Sequence, residues 1–230
     1  MRGMRFAVAG LLAIGMVSLV QAQPGGFGRG QQTSVTFLIT VKAVQEDLKI
    51  TEEQTTKLKD WSKEFAKKAG EILKDKGVEF TKGTKIDEEM LAKMASASTA
   101  INAEAYKQLG DVLKKEQVTR LKEIQRQAMS LAAFADAETV AALKLTDTQK
   151  TSVKGITADL AKDSKEIRDE AGKGKGFDPE TMKKIAKVQK EAFGKTTDLL
   201  DDAQKKTWKE LTGETFDVTK LQFQFPKKKD

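Results

Sequence analysis

A seven-residue pattern that occurs twice constrains the fold of this chain more than any other feature. It reads LKITEEQ at residues 48–54 and LKLTDTQ at residues 143–149. Each copy predicts a helix start with a capping box. The Thr hydroxyl at the N-cap can accept a hydrogen bond from the backbone N–H of the third helical residue, which is a Gln, and the side-chain oxygen of this Gln can accept one from the Thr backbone N–H. We therefore predict a structural role for the motif residues Leu48, Thr51, Gln54, Leu143, Thr146 and Gln149.

A second, shorter pattern follows each capping box. It reads VLKKEQ at residues 112–117 and LLDDAQ at residues 199–204. The two hexapeptides lie fewer positions apart than the two capping boxes do. A shorter loop in the second copy accounts for this difference. Two copies of one helical unit are the simplest interpretation. Lys114 stands where the second copy has Asp201, so a complete third capping box is predicted only in the second copy.

The chain contains no cysteine and no histidine. The missing cysteines exclude disulfides and thiolate chemistry, and the missing histidines remove the commonest general base and the commonest ligand of transition metals. Pairs of acidic residues occur at helix starts, such as Glu52 and Glu53, where the helix dipole explains them. We therefore expect a protein that is not an enzyme and that has no catalytic, cofactor-binding or metal-binding residues.

Apolar residues recur at steps of three and four, and charged residues make up 33% of the chain. This pattern predicts an all-α fold of two tandem repeats of a helical-hairpin unit, which form an elongated or curved helical bundle with coiled-coil-like seams. The predicted core stripes of the first copy are Leu58, Trp61, Phe65, Ile72 and Leu73, and Met90, Met94, Ala97, Ile101, Ala105 and Leu109. Those of the second copy are Val153, Ile156, Leu160, Ile167 and Ala171, and Met182, Ile185, Gln189, Ala192, Thr196 and Leu199.

The first 22 residues have the pattern of a secretory signal peptide. Arg2 and Arg5 precede an apolar run from Phe6 to Val20, and a small residue, Ala22, ends the segment. A retained membrane anchor is the alternative, although the apolar run is short for a membrane span. No second long apolar run follows, so we expect a periplasmic or secreted protein without a membrane span after signal cleavage.

The predicted organisation is a signal peptide at 1–22, a flexible Gly/Gln-rich linker at 23–34, repeat units at 35–132 and 133–216, and an extended basic tail at 217–230. Residues 35–41 alternate like a strand, but the repeat favours a helix from Phe37 to Glu46. The tail alternates too, and either an extended segment packed on the bundle or a partly mobile one is compatible with its sequence.

With its two boxes at residues 48–54 and 143–149 and its many Lys and Glu residues, the chain resembles the LTxxQ-motif family of Spy/CpxP-like periplasmic proteins. The resemblance implies a helical-hairpin fold, a role in extracytoplasmic stress and, for chaperone members, ATP-independent activity through a cradle-shaped dimer. Two units in one chain imply that a pseudo-dimer within one chain replaces the family's homodimer. The missing histidines argue against the metal sensing of some relatives.

Three function classes remain open at this stage. The first, which the resemblance favours, is a chaperone or envelope stress protein that binds unfolded proteins. The alternative is a non-catalytic structural or protein-interaction module of the cell envelope, and the third class is a sensor of a small ligand or ion. The expected partners are unfolded or envelope proteins. Nucleic acid is not an expected partner, because acidic residues are interspersed among the basic ones without an aromatic platform.

Overall fold

The computed structural model describes residues 33–79, 84, 86–172 and 178–221, and within these ranges the chain is helical and contains no strand. The prediction of an all-α fold is therefore confirmed. The α-helices are α1 (Val35–Leu38), α2 (Lys42–Asp47), α3 (Glu52–Asp75), α4 (Glu88–Leu109), α5 (Lys115–Met129), α6 (Ala137–Leu143), α7 (Asp147–Ala171), α8 (Pro179–Asp198) and α9 (Asp202–Thr212). Segments Ser130–Ala135 and Val218–Leu221 are 3-10 helices. The predicted signal peptide and most of the predicted linker lie outside the described residues.

The described residues form two compact units. Unit 1 comprises residues 33–128 and 216–221, and unit 2 comprises residues 129–215. Each unit contains, in the same order, a short helix, a capping box, two long helices that form a hairpin, and a shorter final helix. This shared order is compatible with the tandem repeat, which stays an interpretation.

Unit 1 has a large core built on the antiparallel hairpin of α3 and α4. The indole N–H of Trp61, near the start of α3, donates to the Gln108 Oε1 near the end of α4 over 3.2 Å. The rings of Trp61 and Phe65 stack with their centroids 4.9 Å apart. The predicted stripes of both helices are largely buried, with Ile72 and Met90 partly buried at their margins. The predicted stripe residues of this hairpin therefore face a closed core.

The segment before the first box forms two short helices rather than the single helix predicted from Phe37 to Glu46. Val41 has extended backbone angles and begins α2 as its N-cap. The Thr40 hydroxyl donates to the Phe37 carbonyl over 2.7 Å, and Gln45 Nε2 donates to the Ile39 carbonyl over 2.7 Å. Side chains thus satisfy the carbonyls that the break releases, which a periodicity argument does not reveal.

The residues after unit 2 return to the core of unit 1. Phe216 and Leu221 are buried there, and the Phe216 backbone N–H donates to Gln127 Oε1 over 2.7 Å. Residues 218–221 form a 3-10 helix, so the extended conformation predicted for the tail is wrong at these positions. The rest of the predicted tail lies outside the described residues.

Unit 2 has a smaller core. The buried residues of its main apolar cluster are Phe134, Leu143, Leu145, Val153 and Leu200. The rings of Phe134 and Trp208 stack at 4.5 Å between centroids, and Phe193 lies 6.2 Å and 6.3 Å from them. These residues lie in the 3-10 helix Ser130–Ala135, from the end of α6 to near the start of α7, near the end of α8 and in α9. The core is therefore concentrated at the base of the α7–α8 hairpin.

Candidate functional site

Both predicted capping boxes are present in the structure. The Gln54 backbone N–H donates to the Thr51 hydroxyl over 3.2 Å, and the Thr51 backbone N–H donates to Gln54 Oε1 over 3.1 Å. The corresponding distances at Thr146 and Gln149 are 3.1 Å and 3.0 Å. Leu48 and Leu143, which precede the boxes, are buried. These bonds satisfy backbone N–H groups at the starts of α3 and α7 that the helices themselves cannot pair.

The turn that leads into each box has the same backbone geometry. Lys49 and Lys144 have φ angles of 53° and 50°, in the left-handed region that few residues other than glycine adopt. The next residue in each copy donates a hydrogen bond back across this turn. The Ile50 N–H donates to the Gln45 carbonyl over 2.9 Å, and the Leu145 N–H donates to the Val140 carbonyl over 3.2 Å. This is the Schellman arrangement, which ends α2 and α6 immediately before the boxes.

The motif glutamine of unit 1 also pairs with a glutamine that is distant in sequence. Gln54 Nε2 donates to Gln117 Oε1 over 2.7 Å, and Gln117 Nε2 donates to Gln54 Oε1 over 3.1 Å. The remaining side-chain N–H of Gln54 donates to the Val112 carbonyl over 3.1 Å, and that of Gln117 donates to the Leu48 carbonyl over 3.0 Å. The pair thus connects the start of α3 to the start of α5.

Unit 2 contains the same arrangement. Gln149 Nε2 donates to Gln204 Oε1 over 2.7 Å, and Gln204 Nε2 donates to Gln149 Oε1 over 3.0 Å. The remaining side-chain N–H of Gln149 donates to the Leu199 carbonyl over 2.8 Å, and that of Gln204 donates to the Leu143 carbonyl over 3.1 Å. We call each of these pairs, Gln54 with Gln117 and Gln149 with Gln204, a glutamine clasp.

Each clasp uses the full hydrogen-bonding capacity of two carboxamides. A carboxamide has two N–H donors and an oxygen that accepts two hydrogen bonds. Each oxygen accepts one bond from the partner amide and one from the backbone N–H three residues earlier, which for Gln117 comes from Lys114 over 2.8 Å and for Gln204 from Asp201 over 3.0 Å. Gln117 and Gln204 are buried, so an unpaired amide there would be costly. The arrangement stabilises the fold and has no reactive group.

Sequence analysis predicts Gln204 only as the partner of Asp201 in a capping box, and it does not identify the pairing of Gln117 and Gln204 with the motif glutamines. The repeated hexapeptides at 112–117 and 199–204 carry the signal, since each ends in a glutamine. Lys114 has no side-chain oxygen to act as a cap, yet its backbone N–H still bonds to Gln117, so the backbone half of a capping box forms without the side-chain half. Asp201 and Gln204 form the complete box.

The α7–α8 hairpin of unit 2 leaves much of its apolar stripe only partly buried. In α7 only Val153 and Ser164 are buried, whereas the predicted core residues Ile156, Leu160 and Ile167 are half-buried. In α8 the buried residues are Thr181, Ile185, Ala192 and Thr196. Met182 is 41% exposed, so its predicted place in the core is wrong. Small and polar residues fill the seam, and several large apolar residues lie at its edge.

A shallow groove runs along this edge between α7 and α8. Its apolar side chains are those of Ile156, Leu160, Val188 and Ala192. Four charged residues also line it, namely Asp159, Asp163, Glu191 and Lys195. We call this surface the hairpin groove. Its lining combines apolar side chains, most of them partly buried, with charged margins.

Within the described ranges, no cluster of three or more acidic side chains has a geometry that could hold a metal ion. The helices in these ranges also lack an apolar stretch of the length that crossing a bilayer requires. Comparisons of the chain with protein-family models, with curated proteins and with solved structures find no match. The resemblance to the LTxxQ-motif family therefore rests on the two boxes, and the functional conclusions drawn from it are proposals.

Proposed function

We propose that this protein is an ATP-independent chaperone or stress protein of the cell envelope, which binds unfolded proteins through its α7–α8 hairpin. The observation that carries the proposal is the half-buried apolar row of Ile156, Leu160 and Ile167 on a helix that buries only two residues. Apolar surface that the fold leaves in water favours binding of another apolar surface, by about 25 cal/mol for each Å² removed from water. A flexible client with apolar residues can supply that surface.

The position of the glutamine clasp supports this proposal. The clasp of Gln149 and Gln204 fixes the start of α7 to the start of α9, at the base of the hairpin. The aromatic cluster of Phe134, Phe193 and Trp208 lies at the same end. A hairpin that is anchored at its base, and whose apolar edge is only partly buried, presents an apolar surface without unfolding the unit that carries it.

Two further parts of the proposal rest on the sequence. The pattern of the first 22 residues favours an extracytoplasmic location, where nucleotide is scarce and a chaperone must act by binding alone. The two capping boxes and their following helices favour a pseudo-dimer within one chain in place of a homodimer. Both parts are consistent with a Spy/CpxP-like protein.

The proposal is tested by light scattering of a denatured client that is diluted into buffer with and without an equimolar amount of the purified protein. We expect the protein to slow aggregation without ATP. A variant with Leu160→Asn and Val188→Asn should lose most of this effect, because both side chains line the hairpin groove.

The matched control is Leu91→Asn, which removes an apolar residue that is 39% exposed in unit 1. This control should retain the activity of the wild type. Unchanged aggregation across several clients of different charge would refute the chaperone proposal, and a structural or protein-interaction module of the envelope would then be the better account.

A further inference from the structure

We infer that the hairpin groove selects extended client segments in which apolar and basic residues alternate, and that it discriminates against acidic ones. This inference rests on the proposed function and names the chemistry of the segments that the groove binds. The observation behind it is that the charges beside the apolar side chains of the hairpin groove are mainly negative, whereas the net charge of the chain is +7.

Three carboxylates and one ammonium group line the hairpin groove. Asp159 and Asp163 lie along α7, and Glu191 and Lys195 lie along α8. A chain with more basic than acidic residues offers many lysines that could neutralise such a cluster. The groove nevertheless keeps an excess of negative charge beside Ile156 and Leu160, and complementary charge favours binding of a basic segment.

Asp159 and Asp163 differ from the other two aspartates of α7 in their ion pairing. Asp147 pairs with Lys150 at 3.1 Å, and Asp169 pairs with Lys165. Asp159 and Asp163, in contrast, have no cationic side chain within 4.0 Å among the residues that the structure describes. Their carboxylates can therefore accept hydrogen bonds from a client ammonium or guanidinium group without first breaking an internal pair.

The spacing of these residues fits an extended segment. Asp159 and Asp163 are four residues apart on α7, which corresponds to a rise of about 6 Å, and Ile156 and Leu160 have the same separation. Side chains on one side of an extended segment repeat about every 6.6 Å. Successive apolar side chains of an alternating segment can therefore follow the row of Ile156 and Leu160. The long, flexible side chains of its Lys or Arg residues start on the opposite side and can curve back to the carboxylates of Asp159 and Asp163.

The experiment measures binding of two fluorescein-labelled octapeptides to the full protein by fluorescence anisotropy. Leu alternates with Lys in one peptide and with Glu in the other. We expect the Lys peptide to bind about threefold to tenfold more tightly at low salt, because exposed ion pairs are individually weak. The preference should decrease at 0.5 M salt, where the screening length is only about 4 Å.

The variant with Asp159→Asn and Asp163→Asn should lose most of the preference, and Asp159→Lys with Asp163→Lys should reverse it. The matched control is Asp60→Asn with Glu64→Gln, which removes two exposed carboxylates at the same spacing on α3 in unit 1. This control should bind both peptides as the wild type does.

Equal binding of the two peptides, no binding of either, or the same change in the α3 control as in the α7 variant would overturn the inference. If the protein slows client aggregation but shows no preference between the peptides, this inference fails and the proposed function stands. If the Lys peptide binds selectively but aggregation of every client is unchanged, the groove has the inferred selectivity and the chaperone function is wrong.

Discussion

Gln54 and Gln117, which are 63 positions apart in the sequence, exchange two hydrogen bonds of 2.7 Å and 3.1 Å between their side-chain amides. The same exchange joins Gln149 and Gln204 in the other unit. A capping box alone explains only one bond of each motif glutamine to the backbone, and either Glu or Gln can make that bond. The clasp requires a group that donates and accepts simultaneously, so it specifies glutamine.

The first prediction is that Gln54→Glu destabilises unit 1 by about 2 kcal/mol, although glutamate is a good capping-box residue. An ionised carboxylate has no N–H donors, so it faces Gln117 Oε1 and the Val112 carbonyl, which are both acceptors. The measurement is urea unfolding followed by Trp61 fluorescence in a Trp208→Phe background, which leaves a single tryptophan.

The control for this prediction is Thr56→Glu, which adds the same charge to an exposed position on the first turns of α3. It should change the free energy of unfolding by less than about 0.5 kcal/mol. If Gln54→Glu is as stable as this control, the amide pair does not contribute to stability and the interpretation of the clasp is wrong.

The second prediction concerns the coupling between Gln149 and Gln204. We expect each single alanine variant to cost about 1–3 kcal/mol, because each leaves a partner amide with unpaired groups. The double variant should cost less than the sum of the single variants by about 1 kcal/mol or more. The measurement is a double-mutant cycle from urea unfolding followed by Trp208 fluorescence, and additive effects would show that the two amides act independently.

The third prediction concerns the left-handed turn at Lys144, whose φ angle is 50°. Lys144→Gly should be nearly neutral or slightly stabilising, since glycine adopts this conformation without steric strain. Lys144→Val should destabilise unit 2 by at least about 1 kcal/mol relative to the glycine variant, because a β-branched residue is strained there. Thermal unfolding of the two variants compares them, and equal melting temperatures would refute the role assigned to this turn.

The fourth prediction concerns pH and the start of α8. The Thr181 hydroxyl and the backbone N–H groups of Thr181 and Glu180 donate to Asp178, and these bonds lower the pKa of its carboxyl group below the ordinary value of 3.8. A lowered pKa in the folded state means that the stabilising contribution is complete above the unfolded-state pKa. It is lost as the pH falls through the lower, folded-state value.

Asp178→Asn keeps an oxygen that can cap the helix but removes the titration. The stability advantage of the wild type over Asp178→Asn should therefore shrink as the pH is lowered from 5 to below 3.8. Hydrogen exchange of the amides in the first turn of α8 measures this difference. An advantage that stays constant over this range would contradict the assigned cap.

The helix starts could be predicted from the sequence because capping is a local property. Thr51, Thr146 and Asp178 cap helices at the positions that their neighbours indicate. The pairing of Gln54 with Gln117 could not be predicted with the same certainty, because the partners of the amide N–H groups come from a distant part of the chain. Donor satisfaction is a tertiary property.

Burial of the helical stripes was only partly predictable for a related reason. Met94 and Met182 both lie on apolar stripes with helical spacing, but Met94 is 2% exposed and Met182 is 41% exposed. In unit 1 the short helix α1 packs on α4, and the Val35 N–H donates to Asn102 Oδ1 over 3.3 Å. Periodicity identifies which face of a helix is apolar, but it does not show how completely other elements cover that face.

The most direct test of the proposed function is hydrogen exchange of the protein with and without an excess of a permanently unfolded client. The account predicts slower exchange in α7 and α8, centred on residues 153–167 and 181–196, with little change in α3 and α4. Client-dependent protection confined to α3 and α4, or no protection anywhere, would contradict the claim that the α7–α8 hairpin binds unfolded proteins.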